Sequence, residues 1–164
     1  MIVVQDESIF TYDVKICAVW AIKGSTPIVL STGSHRKTVV FGSLAEDGRQ
    51  LFRQYSTGDS DAFLDYIIKL HKKFPKMIFF IDKAPWHREE RVLNYLVNHK
   101  DCIKVVWFPS GFPEANPMEE CWNQGKTDVL GSTYYDSFLE FKTAISNYYR
   151  TKRFNLDLYK YLCH

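Results

Sequence analysis

At 164 residues, 46% of them hydrophobic and 24% charged, the chain has the size and make-up of one globular domain. A formal charge of only +2 excludes a protein that holds nucleic acid by bulk charge alone. No apolar run reaches the roughly 18 residues of a membrane span, and Met1 does not open a signal peptide, so a cytoplasmic protein is expected. Cys17, Cys102, Cys121 and Cys163 are scattered without a C-x-x-C pair, which excludes a zinc ribbon or redox motif and fits free thiols.

Taken in order, residues 1–6 read as a β-branched strand that ends on Asp6, with Glu7 next to it. Residues 14–22 alternate Val14, Ile16, Ala18, Trp20 and Ile22 with smaller or polar neighbours and predict a second strand. Residues 27–30 suggest a short edge segment opened by Pro27. A strand over 37–44 and another over 50–55 flank the turn signal Glu46-Asp47-Gly48. The pattern then turns helical. Asp59 is a candidate N-cap, Phe63, Ile67, Leu70 and Phe74 share a face, and Pro75 ends the helix. Residues 77–81 are apolar without alternation, predicting a strand buried on both faces. Pro85 opens a helix to about His99, with Leu93, Leu96 and Val97 inward. Residues 103–108 form another apolar strand, 109–113 an irregular loop, and 116–128 a helix broken by Gly131. Ser137 and Glu140 make a capping box for a last helix that turns Phe141, Ala144, Ile145 and Tyr148 inward. The order predicts an α/β domain with a mixed sheet, an antiparallel meander joined to strands linked by helical crossovers, over residues 1–164.

Three acids fall where chemistry could use them. Asp6 and Asp82 end strands, and Glu119 lies in the first turn of the helix after the Pro-rich loop. Ligands of α/β sheets gather at such strand ends, and carboxylate oxygens suit hard divalent cations. Each acid also has a structural use: Asp6 as a polar strand end, Asp82 as the start of a turn, and Glu119 as the N3 partner of an Asn116 N-cap.

The segment Asp82-Lys83-Ala84-Pro85-Trp86-His87 resembles the "D-N-A-P-W-H" motif of DDE-superfamily transposases, in the branch of mariner-like elements and related bacterial insertion sequences. The run from Phe108 to Trp122, with Pro113-Glu114-Ala115-Asn116-Pro117-Met118-Glu119 at its centre, is similar to that branch's "P-x-x-S-P-E-L-N-P-I-E-x-x-W". Gln5-Asp6-Glu7-Ser8 resembles its first-acid strand. Asp82 and Glu119 are 37 positions apart, close to the branch's spacing.

The resemblance implies an RNase H-like fold with a five-stranded mixed sheet. It implies that Asp6, Asp82 and Glu119 are catalytic acids that bind two Mg²⁺ or Mn²⁺ ions. The implied reaction is cleavage at transposon ends followed by strand transfer by a 3′-hydroxyl. The implied partner is DNA, as transposon ends and target, with a homodimer on it. The expected place is a prokaryotic cytoplasm, at the nucleoid when bound to DNA. The branch's N-terminal helix-turn-helix region is expected to be absent from this chain. Lys83, Trp86, His87, Lys126, Arg150, Lys152 and Arg153 are candidate DNA contacts. Departures are Lys83 in place of Asn, Gly111-Phe112 in place of Tyr-Ser, Ala115 in place of Leu, and Asn-Gln-Gly before Lys126. Gly125 inside a helix costs about 1 kcal/mol relative to Ala. None removes an acid. The alternatives are another RNase H-like nuclease without strand transfer, or an inactive remnant that binds DNA or a partner.

Overall fold

Strand β1, Ile2–Thr11, is the axis of the sheet in the computed structural model of the chain, which describes residues 1–18, 20–109 and 116–162. Val19, the loop residues 110–115 with their motif departures, and Cys163 lie outside the described residues. On one side β1 pairs antiparallel with β2, Lys37–Ala45, which pairs antiparallel with β3, Gln50–Tyr55. On the other side it pairs parallel with β4, Met77–Ile81, which pairs parallel with β5, Ile103–Trp107. The order is β3-β2-β1-β4-β5, the mixed sheet the sequence predicts, with the five strands that the family resemblance implies.

Helices cover both faces. The side chains of β1 alternate, so Val3 joins one core and Val4 and Phe10 the other. The first core packs α1, Ser60–Lys73, and α2, Glu90–Asn98, onto Phe41, Phe79 and Ile81. The second packs α3, Met118–Leu130, and α4, Phe138–Thr151, onto Val4, Val40 and Leu44. A last turn, α5, spans Tyr159–Leu162. The caps follow from the sequence. Asp59 accepts from the Ala62 N–H at 2.9 Å, and Ser137 from the Glu140 N–H at 3.1 Å, with Glu140 reaching back to the Asp136 N–H.

Four expectations need correction. Residues 14–18 and 20–22 are not in a strand, and Val19 between them lies outside the described residues. Both edges of β1 are taken, by β2 and β4, so the alternating segment cannot pair with the strand it follows. Lys15 alone bridges to Gly131, and Ile16 (82% exposed) and Trp20 (104%) face solvent. The 27–30 edge segment is likewise unpaired, with Ile28 and Leu30 exposed. Asp13 ties the root of this connection: its Oδ1 accepts from the Val14 and Thr32 N–H groups and from the Ser31 hydroxyl. The expected helix from Pro85 to His99 is two pieces, a 3-10 turn Pro85–Arg88 and then α2, because Glu89 is extended (φ −65°, ψ 147°). That break rotates the face: Val92 and Leu96 are buried, whereas Leu93 and Val97 are exposed. Finally, β4 is not buried on both faces, since Ile78 is exposed on the second-core side.

Gly125 has a packing reason. A Cβ there would lie 2.0 Å from the Tyr149 hydroxyl oxygen and 2.8 Å from its ring carbon. Helix propensity favours alanine by about 1 kcal/mol, but overpacking a buried contact costs about 1–3 kcal/mol. Tyr149 is held by Phe52, Phe154 and Trp122. The clash should win: Gly125→Ala is expected to lower stability in urea unfolding, and a gain would show that Tyr149 can move aside freely.

Candidate active site

The pleat of β1 sends neighbouring acids to opposite faces. Asp6 joins the face of Val4 and Phe10, under α3. Glu7 joins the other, under the 3-10 turn. Opposite Asp6 on β2 stands Gly42. On the other side the parallel register runs Ile2 to Ile78, Val3 to Phe79 and Val4 to Phe80. Two positions further it would set Asp6 level with Asp82, but the pairing stops at Val4. Asp6 is therefore in the middle of a ten-residue strand, not at its end as the sequence suggests. It still sits where the parallel ladder opens, at the carboxyl end of β4. Such openings are the usual ligand sites of α/β sheets.

Asp6 accepts a 2.9 Å hydrogen bond at Oδ2 from the Trp122 indole N–H. Gly42 makes room for that indole. A Cβ on it would lie 2.6 Å from Trp122 Cη2, 2.5 Å from Phe52 and 2.7 Å from Met118. Burial is the main force raising the Asp6 carboxyl to about 7. The indole opposes it, and the negative charges of Glu7 and Glu119 add to it.

Asp82 and His87 form a second knot. The imidazole is fully buried (0% exposed), against the Phe63 ring at 3.9 Å between centroids. Its Nδ1 lies 2.7 Å from Asp82 Oδ1, and its Nε2 lies 3.1 Å from Glu7 Oε1. The latter is close enough for charge attraction but too oblique for a well-formed hydrogen bond. Glu7 also accepts from Trp86 Nε1 at 2.6 Å and from Gln5 Nε2 at 2.9 Å. Burial alone would keep the imidazole neutral. The Asp82 and Glu7 carboxylates overcome it and raise His87 to about 9, so the ring is an imidazolium between two acids. Burial of Asp82 is outweighed in turn by His87 and by the Ala84 N–H, which donates to Oδ1 at 3.0 Å, and the carboxyl stays below its usual range. Asp82 thus does start a turn, and it leaves Oδ2 uncommitted on a side chain that is 49% exposed.

Glu119 is exposed in the first turn of α3. The capping-box alternative is not realised. Pro117 occupies the cap position, Asn116 Oδ1 accepts from the Met118 N–H at 3.1 Å, and no described residue donates to the Glu119 carboxylate. Its charge is felt at Asp6. Among the described residues no three His, Cys, Asp or Glu side chains already stand close enough together to hold a metal ion. In kind, the donors fit a hard dication. Asp6 is a half-buried acid beside two like charges, and Asp82 and Glu119 each keep oxygen atoms free.

The other candidates divide into two places. Lys83 is exposed and Trp86 half-buried beside Asp82, whereas His87 has no surface with which to meet a phosphate. Lys126, on α3, lies over the Phe10 ring at 5.8 Å. Arg150, Lys152 and Arg153 are elsewhere, at the end of α4, with Lys152 3.5 Å from Asp128. Sequence reading missed Glu7 as the partner of His87 and Trp122 as the donor to Asp6. The signal for the first was the pleat, which must turn one of two adjacent acids away from the other.

The family model described as DDE superfamily endonuclease matches residues 1–142. No curated protein matches significantly. Among solved structures, the chain is similar to the Mos1 transposase paired-end complex with left transposon end (19% identity, TM-score 0.69, 99% of this chain and 50% of that one). It is similar also to a pre-cleavage Mos1 transpososome (18%, 0.71, 99% and 51%). A third similar structure is the catalytic domain of Mos1 mariner transposase (17%, 0.64, 99% and 74%). The chain spans about half the length of the transposases in the first two. At these identities the likeness establishes the fold, which is the RNase H-like arrangement expected from the motifs.

Proposed function

The chain belongs to the DDE superfamily of endonucleases, and on that footing we propose that it is a transposase catalytic domain, which cleaves DNA at transposon ends and joins the 3′-hydroxyl to target DNA. Residues 1–164 are proposed to act as one catalytic unit, as a homodimer on paired DNA ends. The observation that carries this reading is the position of Asp6 and Asp82 at the open end of the parallel ladder, with Glu119 close enough to raise the Asp6 carboxyl.

Asp6, Asp82 and Glu119 would hold Mg²⁺ or Mn²⁺, as two ions. Structures of the Mos1 paired-end complex are described with Mn and with Mg. When bound, such ions polarise a phosphoryl oxygen and lower the pKa of an attacking water or hydroxyl. The protein's own part is orientation. Trp122 fixes one oxygen of Asp6, and His87 fixes one oxygen of Asp82. Lys83 and Trp86, beside Asp82, are proposed to meet the DNA strand. Among the described residues no helix is long and apolar enough to cross a membrane. Action at a prokaryotic nucleoid is proposed on the resemblance to bacterial insertion-sequence proteins.

The test uses pre-cut oligonucleotide ends carrying a 3′-hydroxyl and a supercoiled target plasmid. Joined product with Mg²⁺ or Mn²⁺, and none with EDTA, is the expected result. Hydrolysis without joining would assign the chain to nucleases that lack strand transfer, and neither product would overturn the reading.

A further inference from the structure

A groove of about 770 Å³ runs along the outer edge of β3, away from the candidate acids. Five cations line it from four parts of the chain: Arg49 beside the β2–β3 turn, Arg53 on β3, Lys73 at the end of α1, and Arg150 and Arg153 at the end of α4. Among the described residues only Arg49 has an ion-pair partner, Asp47 at 2.7 Å. The others spend their donors on neutral groups: Lys73 on the Gln50 carbonyl, Arg150 on the Asn147 side chain, and Arg153 on the carbonyls of Arg150 and Lys152. Burial, then the charges of Arg49, Arg53 and Arg153, hold the Lys73 ammonium below its usual range. Like charges are therefore kept together here with little to neutralise them, at a cost that a bound polyanion would relieve.

The shape says which polyanion. Arg49 to Arg53 covers four residues of extended chain, about 13 Å. One DNA strand presents a phosphate every 3.4 Å or so of helix axis, so about four phosphates fit that length. Guanidinium forks suit phosphate oxygens. Of the two aromatic rings in the lining, Tyr149 is buried and Phe52 is half-buried and stacked on it at 4.5 Å between centroids, so the groove presents cations to the backbone more than rings to the bases. The register Phe52 to Gly42 to Asp6 puts β3 two strand spacings, about 10 Å, from β1. Phe52, Trp122 and Tyr149 wall the groove from Asp6.

We propose that this groove is a second, sequence-independent site for the phosphate backbone of DNA, separate from the acids and positioning the DNA that they cut. It rests on the reading of the chain as a DNA-cleaving domain. Its test is kept apart from catalysis. Binding of a labelled duplex is followed by anisotropy at stepped salt, in EDTA, for the wild type, Arg53→Ala/Arg150→Ala, and a control Lys104→Ala on β5 at the opposite edge. Removing two phosphate contacts should flatten the slope of log K against log salt by about 1.8 and weaken binding about 10-fold or more at low salt. Lys104→Ala should keep the wild-type slope. An unchanged slope in a folded double variant overturns the groove, as does poly-glutamate competing as well as DNA. Single-stranded DNA or RNA competing through the same residues supports the phosphodiester assignment. If the groove variants lose binding while Asp82→Asn still nicks DNA, the groove stands and the catalytic assignment fails.

Discussion

Replacing Asp82 by asparagine should abolish Mg²⁺-dependent nicking of supercoiled DNA and leave the chain folded. The side chain is half exposed, and its structural work falls on Oδ1, which takes the Ala84 N–H and His87 Nδ1. Asparagine keeps an oxygen there and a similar volume, so the turn and the imidazole keep an acceptor. What it loses is the negative charge and the second carboxylate oxygen, which are what a dication needs. Even a single lost oxyanion-hole donor costs about 10²–10³-fold in rate, and loss of a carboxylate that holds the metal should cost at least that. Stability should fall measurably in urea, since the buried imidazolium loses one of its two carboxylates, but water screens the half-exposed Asp82 position and Glu7 still faces the ring, so the chain stays folded. Wild-type nicking by a folded Asp82→Asn chain would remove Asp82 from the machinery.

The second large effect concerns stability. His87→Ala should destabilise the fold by about 3–5 kcal/mol, because removing one member of a buried ion pair leaves the other charge uncompensated. The penalty falls mainly on the Glu7 side, where the side chain is only 11% exposed; Asp82 is half exposed, and water screens its share. Loss of the ring facing Phe63 adds a cavity. A double variant, His87→Ala/Glu7→Gln, separates the terms. If the charge is the main term, it should recover part of the loss, and the cycle should give a coupling on the order of 1–3 kcal/mol. Additive effects would mean that His87 acts through packing alone.

Much of this architecture is legible in the sequence because it is local. The uninterrupted apolar run of residues 77–81 as a strand, the turn at Asp47-Gly48 and the Asp59 and Ser137 caps all survive in the structure. The failures are of another kind. Residues 14–22 carry a strand's alternation, but a strand also needs a free edge, and β1 has none to offer. Residues 85–99 carry a helix's composition, but one extended residue, Glu89, splits the helix and turns a different face inward. Gly125 looks like a weak point of its helix until Tyr149 is seen against it. The pairings around the acids are long-range: Trp122 meets Asp6 across 116 positions, over a glycine on a third element. The groove cations come from Arg49 to Arg153, and no local pattern gathers them.

The most direct measurement is a crystal structure of the chain soaked in Mn²⁺, read by anomalous scattering. One or two manganese peaks bounded by the carboxylates of Asp6, Asp82 and Glu119 are expected, with His87 still on Asp82 Oδ1. Manganese absent from those three carboxylates at saturating concentration, or bound elsewhere while they stay apart, would contradict the metal assignment.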